Sequence, residues 1–203
     1  DFTDVNNDAT RVEVNTISAE MAKVRDYVPP YAVMAHRGST FWAPEETESA
    51  WRWAREMGAD YLESDLQCTK DGVILANHDD NLKRTTNIEN VYSELVPATR
   101  KAFYMRHGMS EAEAEKLVEA DKASFRPYYA MSYMYEELLA LDAGSWFNET
   151  SIEQARESFS EQHQYISALE DQIRYAEGKM LKRDVNGERI YTVTGTWNPD
   201  KPR

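Results

Sequence analysis

Residues 31–68 constrain this chain more than any other stretch, because they read as strand, helix, strand. Tyr31-Ala32-Val33-Met34-Ala35 is a short apolar run suited to a buried strand, and it stops at His36-Arg37-Gly38. Pro44 opens a helix whose apolar residues, Ala50, Trp53, Ala54 and Met57, recur at helical spacing, and Gly58 closes it. A second strand is predicted from Asp60 to Cys68. A strand, a crossover helix and a strand form the unit of a parallel sheet, so the fold class is α/β.

The rest of the chain is placed around that unit. Residues 1–30 form a polar extension with a weak helical pattern (Ile17, Met21, Val24, Val28) that stops at Pro29-Pro30, and residues 31–203 form the domain. Asp71-Gly72 predicts a two-residue hairpin loop. From about residue 86 to 165 the pattern loosens into an insertion. Within it, Ser110 and Glu113 make a capping box for a helix to Ser124, and a second helix is expected over Ser132–Leu141. Ser167 and Glu170 read as another capping box, opening a helix with Leu169, Ile173, Ala176 and Met180 on one face. Asn186-Gly187 turns into a last strand, Arg189 to Thr194.

Charge and composition exclude several functions. With 36 acidic against 23 basic residues, the chain carries a formal charge of −13 and no basic stripe. Nucleic acid and anionic membrane both need clustered Lys and Arg, so neither is an expected partner, whereas divalent cations are. No run of about 18 apolar residues exists, and stable membrane insertion is not expected. The single cysteine, Cys68, excludes an internal disulfide and a cysteine-based zinc site, and it reads as a small core filler.

Five ionisable residues stand where chemistry is expected: His36, Arg37, Glu63, Asp65 and His78. His36 and Arg37 end the first strand, the end at which parallel α/β folds build their sites. Glu63 and Asp65 are two apart on a strand and face one way. If Asp71-Gly72 is the hairpin loop, Asp65 pairs with His78 and Glu63 with Asp80, so two carboxylates and an imidazole converge. Hard carboxylate oxygens favour Ca²⁺ or Mg²⁺, and the planar fork of Arg37 suits a phosphate. Two histidines can divide the proton transfers of phosphodiester cleavage. The bland alternatives are a solvated strand face for Glu63 and Asp65, and an ion pair with Glu45 or Glu63 for Arg37. His107 and His163 are expected on the surface, Phe125, Tyr128, Tyr129, Tyr133 and Tyr135 in core or lid packing, and Trp146 and Phe147 along the pocket wall.

The ordered string His36-Arg37-Gly38, Ala43-Pro44-Glu45, Gly58-Ala59-Asp60 with Glu63-x-Asp65, Thr69-Lys70-Asp71-Gly72, His78-Asp79 and Leu82-x-Arg84-Thr85-Thr86 resembles the opening half of a glycerophosphodiester phosphodiesterase. Leu141-Asp142-Ala143-Gly144-Ser145-Trp146-Phe147 and Ser167-Ala168-Leu169-Glu170-Asp171 resemble later landmarks of that family. The resemblance implies a TIM-type (β/α) barrel, of which this chain holds the N-terminal portion plus a helical insertion. It implies metal-dependent hydrolysis of glycerophosphodiesters to glycerol 3-phosphate and an alcohol. In those terms Glu63 and Asp65 are metal ligands, His36 and His78 the acid/base pair, and Arg37 the phosphate-binding group.

The chain departs from the family pattern twice. Glu46 stands where the family usually has Asn, and the Glu-x-Lys strand that supplies a third acidic ligand has no counterpart after Leu169-Glu170. Self-association or a missing C-terminal segment is therefore expected to complete the barrel, since a half barrel leaves open edges. The alternatives are a sphingomyelinase-type phospholipase D and a non-catalytic module that binds metal or phosphodiester. The expected compartment is periplasmic or secreted, with the cytoplasm as the alternative.

Overall fold

A computed structural model describes residues 31–150, 163–179, 182–184 and 189–190. The chain divides into two compact units, Asp1–Ala32 and Val33–Arg203, and the second carries every element below. The turn expected at Asn186-Gly187 lies outside the described residues.

Strand β1 (Met34–Ala35) pairs in parallel with β2 (Tyr61–Leu62), Met34 against Tyr61 and Ala35 against Leu62. Helix α1 (Glu48–Glu56) connects them, so the strand–helix–strand unit forms, but the face it buries is Ala50, Trp51, Ala54 and Arg55, while Trp53 and Met57 of the expected stripe are exposed. The helix begins later than Pro44 because Thr47 is its cap: the Thr47 hydroxyl accepts from the Ala50 amide at 3.4 Å and donates to the Pro44 carbonyl at 2.7 Å. Pro44 closes the preceding loop instead.

The strand predicted from Asp60 to Cys68 is two strands. β2 ends at Leu62, residues 63–65 break the ladder, and β3 (Leu66–Cys68) pairs antiparallel with β4 (Ile74–Ala76). The hairpin register also differs from expectation. Its loop has three residues, Lys70 to Gly72: the Thr69 amide donates to the Val73 carbonyl at 2.9 Å and Gly72 adopts φ +83°. Thr69 drives this by accepting the Val73 amide on its hydroxyl at 2.9 Å and donating to Asp71 Oδ1 at 2.5 Å. Leu66 therefore faces Ala76, and the Asn77 amide donates to the Asp65 carbonyl at 2.9 Å. Asp65 stands opposite Asn77, not His78, because a one-residue slip exchanges the two faces of a strand. The slip also corrects Cys68, which is exposed alongside its partner Ile74 rather than filling the core.

The insertion holds most of the core. Helices α2 (Ile88–Val91), α3 (Arg100–Arg106), α4 (Glu111–Ser124) and α5 (Tyr135–Leu138) follow the hairpin. The Ser110 capping box of α4 is present as predicted, and its acidic face is exposed. The helix expected over Ser132–Leu141 is a 3-10 turn, Ala130–Ser132, and the short α5. Leu75, Leu82, Ile88, Tyr133, Leu138, Leu141 and Ile166 form one buried cluster, so the insertion packs directly on β4. At about 25 cal/mol per Å² of apolar area removed from water, such side chains contribute ~1.5–3 kcal/mol each.

Charge is buried in the insertion as well. Arg100 is fully buried and grips Glu137 through Nε and Nη2 (2.9 and 2.7 Å), Asp121 through Nη1 (2.6 Å) and the Ser132 carbonyl (2.8 Å). Asp121 also takes Lys70 Nζ of the hairpin loop at 2.8 Å. Helices α6 (Ser145–Thr150) and α7 (Leu169–Ala176) complete the described helices, and β5 (Lys182–Arg183) pairs antiparallel with β6 (Arg189–Ile190). The cap of α7 is one residue later than expected: the Ala168 amide donates to Asp171 Oδ2 at 2.9 Å. Among the described residues no helix is long and apolar enough to cross a membrane.

Candidate active site

The site begins where β1 runs out. Arg37 and Gly38 both adopt positive φ, +57° and +87°. Gly38 has a packing reason as well, since a Cβ there would lie 2.7 Å from Ala50 Cβ and 2.8 Å from the Ala50 carbonyl carbon. This sharp turn is fastened by two amides: Gly38 donates to the Ala35 carbonyl at 3.1 Å and Ser39 to the Ala50 carbonyl at 2.9 Å. It leaves the His36 imidazole 70% exposed and turns Arg37 inward at 18%.

The break after β2 brings the carboxylates to the same place. The Glu63 amide donates to the Ala35 carbonyl at 3.1 Å, continuing the parallel ladder, and Glu63 Oε2 accepts the Arg37 amide at 3.0 Å. His36 Nε2 lies 4.0 Å from the same oxygen. Asp65 Oδ2 is 2.9 Å from Arg37 Nε, a close ion pair that is not aligned as a hydrogen bond. One donor atom each from His36, Glu63 and Asp65 falls within 4.8 Å of the others. The spacing suits a single divalent cation, and the guanidinium already beside Asp65 shows where positive charge settles. Among the described residues this cluster has no third acid.

Glu46 holds the break from beneath. Its Oε1 accepts the Asp65 amide at 2.7 Å and the Ser64 hydroxyl at 3.2 Å, while its own amide donates to the Arg37 carbonyl at 3.0 Å. The residue is 3% exposed, and Oε2 has no hydrogen-bond partner among the described residues. Burial pushes its carboxyl up to about 7, against the opposing effect of the hydrogen bonds it accepts from the Asp65 amide and the Ser64 hydroxyl. Its φ of +56° is one that Asn adopts more readily than Glu.

His78 reaches the site by another route. Its Nδ1 lies 2.5 Å from Asp79 Oδ1. Arg84 grips Asp79 through Nε at 2.6 Å and Glu45 through Nη1 and Nη2 at 3.1 and 2.7 Å. Glu45 also accepts from Arg37 Nη1 at 3.3 Å. The bonds from Arg84 hold the Asp79 carboxyl below its ordinary range, against a smaller opposing effect of burial. A continuous run of polar contacts thus joins the two histidines: His36, Glu63, Arg37, Glu45, Arg84, Asp79, His78.

The structure therefore assembles His36, Arg37, Glu63 and Asp65 directly and ties His78 to them through Glu45 and Arg84. The role of Arg84 was not read from sequence. The signal was available in a basic residue five positions after the acid that follows His78. Phe147 is 2% exposed and packs on Ala43 and Ala50, under the loop that follows Arg37, with the partly buried Trp146 beside it. His107 and His163 are exposed, and Tyr133 and Tyr135 are core residues.

The sequence model of the "Glycerophosphoryl diester phosphodiesterase family" matches residues 36–198. A glycerophosphodiester phosphodiesterase of Bacillus subtilis is 32% identical over 126 residues, 62% of this chain and 30% of that protein. One from Caldanaerobacter subterraneus is 49% identical over 57 residues, 28% of this chain and 24% of its own length. The chain thus spans less than a third of these relatives. A phosphodiesterase of Oleispira antarctica, solved with the product sn-glycerol-3-phosphate, superposes with a TM-score of 0.46 at 23% identity, over 74% of this chain and 40% of that one.

Proposed function

Because the chain belongs to the glycerophosphoryl diester phosphodiesterase family, and so to its TIM-type barrel fold, we propose that it hydrolyses glycerophosphodiesters to glycerol 3-phosphate and an alcohol. The observation that carries this reading is the convergence of His36, Glu63 and Asp65 within 4.8 Å beside Arg37.

Glu63 and Asp65, with the His36 imidazole alongside, are the residues that would hold Ca²⁺ or Mg²⁺, and such an ion supplies a positive charge that neutralises a phosphate oxygen. Arg37 is steadied by Glu45 through Nη1 and by Asp65 through Nε, and among the described residues its Nη2 edge is the one left for a phosphate oxygen. His36 and His78 divide the proton transfers, one taking a proton from the attacking oxygen and one giving a proton to the departing alcohol.

The experiment is release of glycerol 3-phosphate from mixed glycerophosphodiesters with Ca²⁺, with Mg²⁺ and with chelator, beside His36→Ala and His78→Ala. Metal-dependent release lost in both variants is expected. Cation binding without release from any diester would favour the non-catalytic binding module instead.

A further inference from the structure

Arg84 is placed unlike a surface arginine. It is 45% exposed, yet four of its contacts go to two carboxylates from different loops: Nη1 and Nη2 to Glu45, and Nε and Nη2 to Asp79. Glu45 precedes α1 in the loop that opens with His36 and Arg37. Asp79 follows β4 and touches the imidazole of His78. These are the two limbs that the antiparallel hairpin does not itself hold in register, since Asn77 rather than His78 faces Asp65.

We propose that Arg84 is a positioning residue for His78: it clamps Asp79 against imidazole Nδ1 and, through Glu45, locks that pair to the loop carrying His36 and Arg37. The proposal rests on the phosphodiesterase reading for its consequence in turnover, though not for the geometry. A carboxylate at Nδ1 retains a proton there and leaves Nε2 as the working nitrogen. As a P–O bond forms to the incoming oxygen and the P–O bond to the alcohol breaks, the Nε2 position exchanges a proton with a reacting oxygen and Nδ1 keeps its own. The depressed Asp79 carboxyl agrees, because it stays anionic and so remains an acceptor. A planar fork is needed to serve both carboxylates together, which a lysine cannot do.

The test uses the full chain labelled with ¹⁵N-histidine, as wild type, Arg84→Gln, Arg84→Lys and Asp79→Asn. Nuclear magnetic resonance reads the His78 tautomer, and turnover of glycerophosphocholine gives kcat and KM. Wild type is expected to hold the neutral proton at Nδ1. Both Arg84 variants and Asp79→Asn should lose that preference and drop kcat roughly 10- to 100-fold, the range seen when partners orienting functional histidines are removed, with KM nearly unchanged. Circular dichroism establishes that each variant folds, and Asp79→Asn reads the clamp independently of any loop shift in the Arg84 variants. An Nδ1 tautomer and wild-type kcat in Arg84→Gln would overturn the proposal, as would full rescue by Arg84→Lys. A wild type with the expected tautomer but no turnover would remove the phosphodiesterase reading and leave the clamp standing.

Discussion

Arg37 serves Glu63 with its backbone and Asp65 with its side chain: the amide donates to Glu63 Oε2 at 3.0 Å and Nε lies 2.9 Å from Asp65 Oδ2. One residue in a left-handed turn therefore sets the separation of the two carboxylates. Their mutual repulsion is relieved by the same guanidinium that is proposed to meet a phosphate. The site's negative charge is thus partly balanced in advance, and metal affinity is expected to be moderate.

Glu63→Gln and Asp65→Asn should each weaken Ca²⁺ binding by roughly tenfold or more, since oxygen-donor sites set affinity through ligand charge. Calorimetric titration of the folded chain measures this. Affinity unchanged in both variants would place the cation elsewhere.

Gly38→Ala should lower stability by at least ~2 kcal/mol. The left-handed backbone alone costs about 1–2 kcal/mol for a residue with a Cβ, and the added atom would overlap Ala50. Urea denaturation reads the loss. A change below ~0.5 kcal/mol would mean that the loop and α1 separate without strain.

Glu46 should make stability fall with rising pH. The folded state binds its proton more tightly than the unfolded chain, where a carboxyl titrates near 4.5. The contribution is complete below that ordinary value and lost as pH climbs through about 7. Over that window the loss is about 3 kcal/mol at most, at 1.36 kcal/mol per pH unit. Glu46→Gln should flatten the profile between pH 5 and 8, a range that brackets the titration, and exceed wild type at its alkaline end. Parallel slopes in the two proteins would assign the pH dependence to other groups.

Arg100→Met should destabilise the chain by about 3–5 kcal/mol, because it strips a buried cation from Glu137 and Asp121. Asp121 retains Lys70 and the Tyr104 hydroxyl, so Glu137 carries most of the cost. Replacing Arg100 and Glu137 together by Met and Leu should recover much of it, and a double variant no more stable than Arg100→Met would show that shape rather than charge holds α3 to α5.

Features set by neighbours in sequence were legible. The Ser110–Glu113 box, the presence of a helix between the two strands and the end of the first strand before His36 are short-range, and they stand in the structure as read. His36, Arg37, Glu63 and Asp65 converge because a parallel strand pair and one turn suffice to place them. The hairpin register was not legible, since Asp71-Gly72 fits a two-residue loop as well as the three-residue loop that the Thr69 hydroxyl selects. The break at Ser64 depends on Glu46, a residue from another loop. Arg100 resembles any helix-surface arginine until its three partners, brought from three places along the chain, surround it.

Strand β4 bonds on one side to β3 and on the other to a segment far downstream, the Ala76 amide donating to the Ser167 carbonyl at 2.9 Å. A ribosome adding about 5–20 residues per second makes Ser167 several seconds after Ala76. The edge of β4 that leads into His78 thus lacks the partner it has in the finished fold until the insertion has been translated. Synonymous-codon changes that speed or slow that interval should alter how much of the nascent protein is captured by chaperones, without touching the sequence of the finished chain.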